Sequence, residues 1–113
     1  MDDEQIEYLE ISLAKAKTQL EKSAALDRLV SNKDFKLVVD DGYFTEEASN
    51  AVLALAAPMF AGEAEQKRLH NNIIAIGCLR QYFSGIMQLG VEANKAIKEH
   101  ELMREELLTE EDE

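Results

Sequence analysis

A chain of 113 residues with 46% hydrophobic content, one proline and five glycines is long enough for one domain and too poor in turn residues for an all-β fold. Its net charge of −11 resides at the ends: residues 1–10 carry five acids, residues 105–113 six, and the remainder holds twelve acids against twelve bases. This distribution argues against a basic nucleic-acid-binding stripe and against a nucleic-acid mimic with carboxylates spread over the fold, and the single cysteine, Cys78, excludes an intramolecular disulfide.

The first element is predicted to be a long helix. Ile6, Leu9, Leu13, Ala16 and Leu20 recur at alternating three- and four-residue steps, a seam of two heptads, with acids in the first turn and lysines further along. Strict continuation would place Ser23 and Asp27 on the seam, so a break is expected there, with Leu26, Leu29 and Val30 taking over on a rotated face. A helix of about 25 residues is roughly 37 Å long, so its seam must lie on another long helix, from the same chain or from another copy.

Residues 31–58 form the pivot of the chain, with Phe35, Tyr43 and Phe44 falling within ten residues. Ser31 or Asn32 suits a helix stop followed by a new cap, and Phe35, Val38 and Val39 stripe a short helix that Gly42 would end in the left-handed conformation. A strand over residues 35–39 is the rival reading, since Phe and Val favour strands, but it has no obvious pairing partner. Thr45 reads as the cap of a second short helix with Ala48, Ala51, Val52 and Leu55 on one face, and Pro58 as its stop.

From Glu63 to about Gly90 the spacing of Leu69, Ile73, Ile76, Leu79, Phe83 and Ile86 predicts the most hydrophobic helix. Gly77 and Gly85 inside it each cost roughly 1 kcal/mol against alanine, which implies close approach of a neighbouring backbone or a kink. Gly90 either ends or bends the helix before a thinly apolar segment over residues 91–108, supported by pairs such as Lys95 with Glu99 and Arg104 with Glu101 and Glu105. The expected architecture is all-α: two long helices joined by a short two-helix elbow, then an acidic C-terminal helix or tail. It forms a single domain over residues 1–113, frayed at 1–5 and 108–113.

Chemistry is sparse. His70 and His100 lack the spacing of a zinc site, and His100 between Glu99 and Glu101 reads as a solvated histidine. Asp40, Asp41 and Gly42 lack the remaining ligands of a calcium loop, and no glycine-rich phosphate cradle is present. Cys78 reads as a buried structural thiol. No catalytic, cofactor or metal site is expected, so the reading is of a non-enzyme. Two groups are candidates for partner binding. The aromatics Phe35, Tyr43 and Phe44 are either core anchors or an exposed hot spot. The acids Glu105, Glu106, Glu110 and Glu111 are either a solvated end or a match for a basic partner. The acidic N-terminus does not read as a secretory signal, and no window is apolar enough for a membrane span.

The leucine-rich first helix, the run N-K-D-F-K-x-V-V-x-x-G-Y-F-x-E-E-A at residues 32–48, the Ala57-Pro58 pair and A-I-G-C-L-R-Q-Y-F at residues 75–83 together resemble small helical proteins of tailed bacteriophages. Such proteins are encoded among virion and head-assembly genes. The resemblance covers roughly residues 20–100 and its motifs are structural punctuation. It implies a virion, scaffold or assembly-chaperone role, with capsid or portal subunits as partners and homo-oligomerisation open. It places the protein in the infected cell's cytoplasm or the particle, not secreted. The alternative is a small acidic phage inhibitor that binds a basic face of a host defence or nucleic-acid enzyme.

Overall fold

The computed structural model describes residues 2–112, with the backbone alone at residues 107, 108 and 110–112. The chain is all-α: a long N-terminal helix, a central helical elbow and a long C-terminal helix. In order these are α1 (Asp3–Val30), a short α2 (Lys33–Phe35), a π-helix (Lys36–Glu47), α3 (Ala48–Leu55), a 3-10 turn (Pro58–Phe60) and α4 (Glu63–Asp112). The rival strand over residues 35–39 is not formed. Two compact units organise the chain, Met1–Leu26 with Gly85–Glu113, and Asp27–Ser84.

In the first unit α1 begins with a reciprocal cap. Gln5 N donates to Asp2 Oδ1 at 2.8 Å, and Asp2 N donates to Gln5 Oε1 at 3.2 Å, so two amides that a helix start leaves unpaired are satisfied. The seam then buries Ala16, Ser23 and Leu26 on α1, and Ile86, Gly90 and Ala93 on α4. The pairing is antiparallel, because Ser23 lies against Gly90 while Leu9 shares a cavity with His100 and Met103.

The seam runs one step further than expected before it shifts, with Leu26 buried as predicted and Asp27 exposed. Ser23 occupies the seam position that strict continuation assigns to it and is 8% exposed. The reason lies on the opposite helix. Gly90 has no Cβ, and one added there would collide with Ser23 Oγ and Cβ, so the two backbones approach closely and a serine suffices to fill the space. Its hydroxyl lies 3.8 Å from Met87 Sδ, a weak acceptor. Gly90 therefore does not end α4, which continues through it as helix. Gly77 and Gly85, where the pattern had implied close approach, have nothing within 4 Å of a built Cβ. The charge pairs expected in the last segment are also absent. An ion pair does form between Arg68 and Glu65, at 2.9 Å on the exposed surface. Fixing long side chains at the surface costs entropy that a screened pair barely offsets.

In the second unit Asn32 caps the elbow as its residue type predicts, its Oδ1 accepting from Phe35 N at 3.0 Å. From there the backbone stays helical to Leu55, without the expected interruption at Gly42. Gly42 is not left-handed; no described residue has a positive φ. It sits inside the π-helix, where a Cβ would stand 3.2 Å from the Leu37 carbonyl oxygen. Thr45 likewise caps nothing. Its hydroxyl donates to the Asp40 carbonyl at 2.9 Å, within the same helix. The elbow ends where Pro58 requires: Ala57 before it is extended, and the 3-10 turn follows. Gln66 at the start of α4 fastens this turn, its Nε2 donating to Leu55 O at 3.0 Å and to Phe60 O at 2.8 Å. Ala51, Leu69 and Ile76 are the buried apolar side chains of this unit, and Leu29, expected on the seam, is 45% exposed.

Candidate functional site

The three aromatics of the elbow are brought together, and the residue that gathers them is Phe83 of α4. Phe35 and Phe44 lie 6.0 and 5.9 Å from the Phe83 ring, the first tilted and the second edge-on, both within the range of favourable ring pairs. Tyr43 lies 5.9 Å from Phe44, and Tyr82 6.2 Å from Phe83. The Arg80 guanidinium sits 5.8 Å over the Phe44 face, a cation–π contact at the edge of the cluster.

The winding of the elbow makes this arrangement possible. Phe35 and Phe44 are nine residues apart, which is two and a half turns of α-helix and would set them on opposite sides. At roughly 4.4 residues per turn the same nine residues make about two turns of π-helix, and both rings then face Phe83. A π-helix is rarely longer than one turn, so its twelve residues here are held by what they pack on. All three elbow aromatics are half-buried. Through Phe35 and Phe44 they pack the elbow against α4. Sequence reasoning placed Phe83 only in an apolar stripe. Its role as hub, and that of Arg80, depended on a helical phase that no α-helical wheel gives.

Beside its polar residues the elbow also turns aliphatic side chains outward. Leu37 and Val38 are each 66% exposed, and Leu53 is 71% exposed. A shallow depression of about 390 Å³ lies between Val38, Val39, Gly42, Tyr43 and Glu47. In the other unit Glu105 and Glu106 are exposed on α4, while the side chains of Glu110 and Glu111 lie outside the described residues. That unit also holds a cavity of about 200 Å³ lined by Leu9, Ser12, Leu13 and Ala16 of α1 and by Ala96, Glu99, His100 and Met103 of α4. His100, expected on the solvated surface, is half-buried against it.

Among the described residues no three His, Cys, Asp or Glu side chains stand close enough to hold a metal ion. His70 Nδ1 is engaged with its own helix, 2.8 Å from the Gln66 carbonyl oxygen. Cys78, expected buried, is exposed, because it falls off the Leu69–Ile76–Phe83 line that faces inward. Among the described residues no helix is long and apolar enough to cross a membrane. No family model, curated protein or solved structure matches this chain. What the fold and its surfaces define is a helical protein with apolar side chains facing outward in both units.

Proposed function

We propose that this is a non-enzymatic structural or assembly protein of a tailed bacteriophage, one that works by packing its helices against other protein subunits, with capsid or portal subunits as the partners. The observation that carries the reading is the apolar surface left on the helices. No described side chain is less than 2% exposed, while Tyr8, Leu53, Met59 and Val91 are each at least 70% exposed. Exposed apolar residues scattered singly are ordinary. Here they accompany a sparse core in which three of the seven buried apolar residues are alanines, which leaves much of the available hydrophobic stabilisation to be gained from a partner. The phage setting rests on the resemblance carried by residues 32–48 and 75–83. Helix-mediated assembly requires no catalytic constellation, which suits the engaged His70 and the isolated, exposed Cys78. Mass spectrometry of purified particles and of proheads tests the proposal: the protein is expected in at least one of them, and its absence from both refutes the assignment.

A further inference from the structure

We propose that a second copy of this chain packs on one face of the Met1–Leu26 and Gly85–Glu113 unit, giving a twofold dimer in which α1 of each copy lies against α4 of the other. This goes beyond the assembly reading, which names no contact between identical chains, and it stands or falls separately from it.

The face is marked out by residues beside the buried line of Ile86, Gly90 and Ala93. Leu89, Ala96 and Met103 of α4 recur every seven residues and are all exposed, Leu89 at 45% and Met103 at 48%. A seven-residue apolar line beside an occupied seam is the pattern of a helix with two helical neighbours. From α1 the same side presents Tyr8, which shares a depression with Met103, and Ile11, which is 62% exposed.

Charge selects the occupant. On this side α1 carries Lys15 and α4 carries Glu99, both exposed. Ser23 opposite Gly90 fixes the register. Lys15 lies eight residues before Ser23 and Glu99 nine after Gly90, so the two are level on opposite helices of one face. A twofold axis running along the helices keeps this level and sets the lysine of each copy over the glutamate of the other. An axis running across them would set α1 on α1 and α4 on α4 and give no such pairing. A face that carries its own complement about an axis is what an isologous dimer requires.

Size and shape agree with this occupant. Two adjacent helices about 36 Å long and about 10 Å wide present roughly 700 Å² per copy, close to the ~800 Å² per partner of a stable interface. The cavity of about 200 Å³ rimmed by Ala96 and Met103 lies level with Ile11 of the second copy. An isoleucine side chain is of the size to enter it.

Sedimentation equilibrium of the full chain tests the proposal. At up to about 0.1 mM, where a Kd of about 10 μM already gives mostly complex, the wild type is expected at twice its 12.7 kDa. Ile11→Glu sets a carboxylate against Glu99 and Met103 and is expected to give a helical monomer. Lys15→Glu is expected to weaken the dimer about tenfold, since symmetry places the like-charge contact twice. Lys15→Glu combined with Glu99→Lys is expected to restore it. A monomeric wild type, an oligomer other than a dimer, or a dimer that none of these variants alters overturns the proposal.

Discussion

Three glycines of α4 look alike in sequence and should respond in opposite ways to the same substitution. Alanine in place of helical glycine gains about 1 kcal/mol from the reduced freedom of the unfolded backbone. At Gly77 and Gly85 nothing stands within 4 Å of the new Cβ, so that gain should appear in full. At Gly90 the Cβ would overlap Oγ and Cβ of Ser23, and Ser23 Cα is 3.8 Å away, so no side-chain rotation clears the space. The helices must separate, and overpacking of this kind costs up to about 3 kcal/mol. Against the propensity gain, Gly90→Ala should lose about 2 kcal/mol, or about 8 °C in melting temperature for a chain of this length.

Urea unfolding followed by far-ultraviolet circular dichroism reads all three variants on one scale. Both atoms that collide belong to the Ser23 side chain, while its Cα is at ordinary van der Waals distance. Ser23→Gly in the Gly90→Ala background should therefore recover most of the loss, short of the roughly 1 kcal/mol a new helical glycine costs. Stabilisation by Gly90→Ala comparable to that at Gly77 and Gly85 would refute the close approach of α1 and α4 at this level. So would the absence of any rescue by Ser23→Gly.

Phe83→Ala should lose about 2–3 kcal/mol, less than a fully buried phenylalanine because Phe83 is half-buried, and should abolish amide-exchange protection over residues 36–47. Unchanged protection there would show that the π-helix does not depend on its aromatic hub. Gly42→Ala sets a propensity gain of about 1 kcal/mol against a 3.2 Å approach to the Leu37 carbonyl, so stability should stay within about 1 kcal/mol of wild type. A loss above about 3 kcal/mol would mean that Gly42 needs a left-handed backbone after all. Gln66→Ala removes two hydrogen bonds to the Leu55 and Phe60 carbonyls and should cost about 1–2 kcal/mol, with exchange at Phe60 and Ala61 accelerating first in a residue-resolved measurement.

The α-helical class and the long helices were legible because their apolar residues recur at helical spacing over many turns. Asn32 and Pro58 were legible because capping and proline chemistry act within a few residues. Ser23 was not, since a serine on a seam reads as an interruption until the glycine opposite is known, and that glycine lies sixty-seven residues away. For the same reason Gly77 and Gly85 were assigned a close approach that belongs to Gly90. That the elbow aromatics would meet one another was legible from their closeness in sequence, but the Phe83 ring they pack on was out of reach. The acidic residues 110 and 111 carry charge and no packing pattern from which a position could be argued.

The elbow shows why a local rule can mislead even where each residue obeys it. Gly42 follows two aspartates and precedes two aromatics, which on an α-helical count closes one helix and opens another. That count also separates Phe35 from Phe44 by half a turn, so two helices at an angle would be needed to bring both rings to one neighbour. Winding the segment wider solves the same problem without a break, because nine residues then return to the same face. Gly42 fits this solution as well as a cap would, as a position where a side chain would crowd the carbonyl five residues earlier. Which solution is adopted is decided by Phe83, outside the segment. A sequence window that stops at Pro58 therefore contains the rings and the glycine but lacks the residue that sets their phase.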